Sequence, residues 1–183
     1  MLNEQAVQIA VKIIKLFEGC NLIAYPDPAS PLYKALALHN MLKKYMDGAI
    51  RYKDLPDNFK ALSGTPWTVG YGMTVGVTKD TVYTQEQANT SLEAHVRKVM
   101  QETLEDAPKL SKEVPARIAA ITSLAYNIGK DAFKTSTVAK RIASGALSEV
   151  AEAIKMWNKA KGKIVDGLVK RRQTEADLWN SKG

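Results

Sequence analysis

Only one cysteine, Cys20, occurs in the 183 residues, so no disulfide can form within the chain and folding does not depend on an oxidising compartment. No neighbouring His or basic residue marks Cys20 as an activated nucleophile, and it reads as a small, partly buried hydrophobe. Histidine is nearly as scarce. His39 and His95 lie far apart with no ligand spacing around them, which argues against a metal site, and no motif calls for a cofactor. Long apolar runs are absent too. The most hydrophobic stretch, "AVQIAVKIIKLF", is broken by Gln8, Lys12 and Lys15 and is followed by no small-residue cleavage site, so neither a signal peptide nor a membrane-spanning helix is expected. The expectation is a protein that begins in the cytosol of the cell that makes it. Internal repeats and low-complexity segments are also missing.

What is there fits an ordinary globular protein: 45% hydrophobic and 25% charged residues, in a chain long enough for one well-packed core. A single domain spanning 1–183 follows. The formal charge of +7 builds in attraction to polyanions, whether nucleic acid, anionic membrane or anionic cell wall, and charge alone does not choose among them. No nucleic-acid-binding motif is visible, and a basic nucleic-acid binder would leave the glycine-rich strand described below unexplained, so no nucleic-acid partner is expected.

Asn3 suits an N-cap, and Val7, Ala10, Val11, Ile14 and Phe17 recur on one helical face until Gly19, which predicts a helix over about 4–18. Glu18 continues that apolar stripe rather than the Lys12 and Lys15 side, so its carboxyl is turned inward. From Pro28 to Gly64 the character changes. "PLYKALALHNMLKKYM" predicts a helix burying Leu32, Leu36, Met41 and Tyr45, and the remainder reads as loop with one further helical turn. "TPWTVGYGMTVGV" then alternates like a strand, with Trp67, Val69, Tyr71 and Met73 on one side and Thr68, Gly70, Gly72 and Thr74 on the other, an almost bare face that something is expected to approach closely. Thr84 with Gln87 forms a capping-box pattern opening a helix to about Glu105, Pro115 opens another closed by Gly129, and further helical patterns cover Ser136–Ser144, Ser148–Lys159 and "GLVKRRQTEADLW".

Two acids stand nine positions apart in "KLFEGCNLIAYPDP". Glu18 ends a helix on its apolar side, where burial and the negative helix end both favour keeping the proton. Asp27 sits between prolines in "YPDP", which keep it out of a helix and hold it in a more exposed turn. Carboxyls in unlike environments are what acid and base work on a glycosidic bond requires, and Thr68 offers a hydroxyl that could hold a water against Asp27. The residues alone leave the alternatives open: a solvated Glu, a turn Asp and a structural Thr.

"FEGCNLIAYPDP", "WTVGYGMT", "SLAYNIG" at 123–129, "AFKTSTV" at 132–138 and "GLVKRRQTEADLW" at 167–179 together resemble the phage-type lysozymes, the endolysins that cut bacterial cell walls. The resemblance runs through nearly the whole chain in order. It implies an α+β, mainly α fold, with a small N-terminal β-containing lobe, a helical C-terminal lobe and a catalytic cleft between them. It also implies a catalytic set that falls on Glu18, Asp27 and Thr68, with Glu18 protonating the leaving oxygen of the bond between N-acetylmuramic acid and N-acetylglucosamine while Asp27 and Thr68 position water, commonly with inversion.

Two departures from the family pattern stand out: the 28–64 insertion, where relatives have a short turn and where helix is expected beside the cleft, and Met73, where many relatives have His. Asn127 in "YNIG" is either a sugar-amide ligand or a C-cap. Lys170, Arg171 and Arg172 read as a solvated basic face of the last helix, with Leu168, Leu178 and Trp179 packed inward, and as a contact for the anionic outer-membrane surface. The resemblance further implies peptidoglycan as substrate, a monomer, retention in the infected cytoplasm, and a holin to open the way to the wall. A lytic transglycosylase and an inactive cationic wall- or membrane-binding module are the competing readings.

Overall fold

Capping chemistry starts the helices where the sequence places it in the computed structural model, which describes residues 1–181. In chain order the elements are helix α1 (Glu4–Phe17), strand β1 (Asn21–Pro26), helices α2 (Pro31–Leu38), α3 (Leu42–Met46) and α4 (Asp57–Lys60), strand β2 (Trp67–Gly70), and helices α5 (Gln85–Asp106), α6 (Pro115–Ile128), α7 (Lys130–Thr135), α8 (Thr137–Ser144) and α9 (Val150–Lys155). Strands β3 (Lys159–Ala160) and β4 (Lys163–Ile164) and helix α10 (Asp166–Asn180) complete it. The result is mainly helical with small antiparallel sheets, the α+β class expected. Asn3 Oδ1 accepts the Ala6 N–H at 3.0 Å, and the Thr84 and Gln87 side chains exchange bonds with each other's backbone N–H at 3.1 and 2.7 Å, a complete capping box.

The chain forms two compact units, Glu18–Leu92 and Met1–Phe17 with everything from Glu93 onward. In the first, β1 pairs antiparallel with β2, and its other edge is bonded by the 81–83 segment through Ala24 N–H to Thr81 O and Tyr83 N–H to Leu22 O. The core of this unit is Ala24, Leu32, Leu36, Tyr45, Leu55, Phe59, Trp67 and Val69. Five of those eight come from the 28–64 insertion, so the insertion is half of a hydrophobic core rather than an appended loop. The single helix expected across 31–46 is broken into α2 and α3 at Asn40, whose φ of 57° is the left-handed conformation that Asn tolerates. Met41, at that break, is half-buried rather than buried.

The long strand expected around "WTVGYGMTVGV" ends at Gly70. Val69 and Met73 exchange backbone hydrogen bonds at 2.9 Å across a tight turn that needs positive φ at Gly70 (62°) and Gly72 (92°). Those glycines serve the turn, and Gly70 is also closely approached by Ala88 and Tyr83, each 3.5 Å from where its Cβ would be.

In the second unit α6 is buried on nearly every side, from Ala116 and Ile118 through Ala125, and it packs against α1 and α10. The helix expected to reach Lys159 stops at Lys155, and residues 159–164 turn back as the β3–β4 hairpin. The basic face expected on α10 is also corrected. Arg171 and Arg172 are 4% and 1% exposed, because Glu175 on the same helix is fully buried and draws both guanidinium groups inward, to 3.3 and 3.2 Å. Ser123 Oγ donates to the same carboxylate at 2.7 Å. Trp179 is buried as expected, while Leu168 and Leu178 are half-buried.

Candidate active site

Glu18 is the first residue after α1. It is half-buried in the bend that leads through Gly19 and Cys20 into β1. Cys20 is exposed, not partly buried as expected, because that bend lies outside both helix and strand.

Asp27 is held where β1 gives way to α2. Its Oδ1 accepts the Ala29 N–H at 2.7 Å and its carbonyl accepts the Ser30 N–H at 2.8 Å, a side-chain-closed turn of the kind Asp favours, and Ser30 then caps α2 by accepting the Tyr33 N–H at 3.2 Å. The Asp27 N–H is shared between the Gly64 and Pro66 carbonyls at 3.0 Å each, and the Leu32 N–H bonds Ser63 O at 3.0 Å. The far end of the insertion is thereby bonded to its near end at Asp27. This closure lets a strand some forty residues downstream lie beside β1.

Thr68 lies on β2 directly opposite Tyr25 of β1 and is 9% exposed. Tyr25 is the neighbour common to all three residues. Burial pushes its phenol above the usual range; a hydrogen bond with Thr68 opposes that, and the Tyr33, Glu18 and Asp27 charges raise it further. One side chain thus stands opposite Thr68 and lies within electrostatic reach of both carboxyls. Glu18, Asp27 and Thr68 thus all act on one phenol within the first unit. Nothing in the local sequence marks Tyr25, because its role arises from strand register across the insertion.

Asn127 belongs to the other unit, in the last turn of α6. It is not the cap: α6 runs on to Ile128, and Gly129 ends it with φ of 86°. Asn127 is exposed, and its Oδ1 accepts from the buried Arg172 NH2 at 2.7 Å. Arginine can only donate, so the amide oxygen must face Arg172 and the NH2 group faces away. Arg172, like Arg171, is misplaced by sequence reasoning; its spacing from Glu175 was the signal of an internal ion pair.

Met73 is half-buried against the first unit's core, while His39 is exposed and meets the Phe59 ring edge-on at 5.3 Å. Among the described residues no three His, Cys, Asp or Glu side chains converge to hold a metal, and no helix is long and apolar enough to cross a membrane.

The family model described as phage lysozyme matches residues 48–175. That span takes in Thr68 and Asn127 and begins inside the insertion, downstream of Glu18 and Asp27. An endolysin of Acyrthosiphon pisum secondary endosymbiont phage 1 is 38% identical over 121 residues, 63% of this chain and 80% of that protein. The endolysin of Lactococcus phage c2 is 30% identical over 174 residues, 94% of this chain but only 59% of its own length. Several of the curated relatives are thus longer than the part this chain spans. Among solved structures, an endolysin from Escherichia coli O157:H7 phage FAHEc1 superposes with a TM-score of 0.62 at 28% identity, covering 96% of this chain and 93% of that one.

Proposed function

The chain belongs to the phage lysozyme family, the peptidoglycan-hydrolysing glycosidases of phage lysis, and from that premise we propose that Glu18, Asp27 and Thr68 carry out the hydrolysis. Glu18 gives its proton to the oxygen between N-acetylmuramic acid and N-acetylglucosamine as that bond breaks. Asp27 accepts a proton from the water that Thr68 holds, and the resulting hydroxide joins the anomeric carbon from the opposite face. The β-linked sugar then leaves with an α reducing end. The observation that carries this reading is Tyr25, which stands opposite Thr68 across the β1–β2 pair and feels both carboxyls.

Asn127, with its oxygen held by Arg172, turns an N–H donor outward, suited to the carbonyl of an N-acetyl group. The protein acts as a monomer and collects in the infected cytoplasm until a holin breaches the membrane. Sedimentation of the pure protein tests the first statement, and expression with and without a holin tests the second.

The deciding measurement is mass spectrometry of wall digests by wild type and Glu18→Gln. The reading expects products that have gained one water, made by wild type only, with the variant folded and slower by about 10²-fold or more. Undiminished hydrolysis by Glu18→Gln overturns the assignment of the acid. Anhydro-muramyl ends from wild type would make the chain a lytic transglycosylase. Lysis by Glu18→Gln without any bond cleavage would make it a non-enzymatic disruptor.

A further inference from the structure

Between Glu152 and Asp166 the chain carries Lys155, Lys159, Lys161 and Lys163 and no acid. Three of these lysines lie on the β3–β4 hairpin, where Lys159 faces Ile164, Ala160 faces Lys163, and Lys161 (φ 49°) and Gly162 (φ 77°) form the two-residue turn. Positive φ at both turn residues is the geometry that matches strand twist, so the hairpin is well made even though it packs against little. Every residue from 159 to 167 is exposed. Among the described residues no carboxylate pairs with Lys159, Lys161 or Lys163.

Apolar side chains share this surface. Met156 is 65% exposed, Ile164 63%, Val169 41% and Val165 39%, four of the large hydrophobic residues that the described chain leaves in water. The Val165 N–H bonds Asn158 O at 3.0 Å, which closes the hairpin base beside Met156. Lysines on a two-stranded hairpin would guard its open edges against pairing with other strands, but guarding gives no reason to leave Ile164, Val165 and Met156 in solvent. An anionic wall polymer would satisfy the lysines and still leave the apolar groups wet. A lipid surface satisfies both: phosphates for the ammonium groups, and an interfacial region for the side chains between them.

We propose that the β3–β4 hairpin docks this protein on anionic phospholipid bilayers, with Lys159, Lys161 and Lys163 against headgroup phosphates and Ile164 and Val165 in the interface. The contact holds the enzyme at a membrane next to the wall, and it stands independently of which residues cleave the glycan.

Co-sedimentation of the intact chain with phosphatidylglycerol-containing and with pure phosphatidylcholine vesicles tests it. Wild type binds the anionic vesicles selectively, and K159Q/K161Q/K163Q lowers the partition coefficient roughly a hundredfold, about fivefold per lysine. K43Q/K44Q/K53Q, which removes the same charge from exposed positions of the other unit, lowers it by less than about fivefold if only long-range attraction is lost. I164S/V165S abolishes the fraction that stays bound at high salt. Circular dichroism establishes that each variant is folded, which the full exposure of the hairpin leads us to expect. Equal losses in the two lysine triples, an unchanged I164S/V165S, or no selective binding by wild type overturns the proposal. Loss of binding to purified sacculi with vesicle binding intact would do so as well, and would assign the hairpin to the wall.

Discussion

Replacing Tyr25 with Phe removes one oxygen atom from the candidate site while keeping the ring that packs in the first unit. The lost group is the phenol oxygen that can hydrogen-bond Thr68 across the β1–β2 pair. A neutral hydrogen bond of this kind is worth about 0.5–1.5 kcal/mol net, which corresponds to roughly a twofold to tenfold loss of rate if the Thr68 hydroxyl must point at the attacking water. The loss should fall on kcat with KM unchanged, because Thr68 is assigned to the water and not to the sugar. Thr68→Val, which removes the anchor itself, should cost about a hundredfold. In the double variant the Tyr25→Phe effect should vanish, since a residue that acts through Thr68 has nothing to act on once the hydroxyl is gone. The raised phenol keeps its proton throughout the neutral range, so Tyr25→Phe should leave the shape of the pH profile between about pH 5 and 8 unaltered. Reducing-end release from purified glycan strands measures all four enzymes. Strictly additive losses, or a KM effect as large as the kcat effect, would refute the claim that Tyr25 orients Thr68.

Three further outcomes follow from the packing. Leu36, from the insertion, is 0% exposed, and Leu36→Ala should destabilise the first unit by about 3–5 kcal/mol in urea unfolding followed through Trp67; a loss under about 1 kcal/mol would mean the insertion is not core. Burial pushes the Glu175 carboxyl up against the pull of Arg172, Ser123 and Arg171; Glu175→Ala leaves two buried guanidinium groups without their anion and should cost about 3–5 kcal/mol, read by thermal and chemical unfolding, whereas a neutral effect would show that the ion cluster is dispensable. Burial, with Lys98 nearby, holds His95 below its ordinary range while Glu102 opposes. The neutral form is therefore favoured by folding, so stability is full above about pH 6.5 and declines as pH falls through the lower folded value. His95→Gln should flatten the pH dependence of urea midpoints in that window, and an unchanged slope would exclude His95 as its source.

Helix positions were largely legible because capping and periodicity act within a few residues. Asn3, the Thr84–Gln87 box, Ser136 before α8 and Gly129 after α6 each mark a boundary that the structure keeps. The errors share a cause. Arg171 and Arg172 look solvent-facing in sequence because charge is normally exposed, and only the burial of Glu175 against α6 reverses that. The strand pattern beyond Gly70 looked regular because alternation cannot reveal that a glycine has positive φ. The helix expected to reach Lys159 ends at Lys155, and the hairpin at 159–164 has no counterpart in the sequence reading, because "NKAKGK" carries no apolar period of either kind.

Glu18 at a helix end and Asp27 in a proline-bounded turn are determined by the sequence alone, since both depend on the few residues around them. That these acids share a neighbour with Thr68 is decided only by the tertiary structure. It depends on bonds from Asp27 to Gly64 and Pro66, on an insertion that packs five side chains into the core, and on the register that sets Tyr25 opposite Thr68. Each of these joins residues some forty positions apart, and pairing at that range is governed by which surfaces can be buried together, a property of the folded chain that no local pattern encodes.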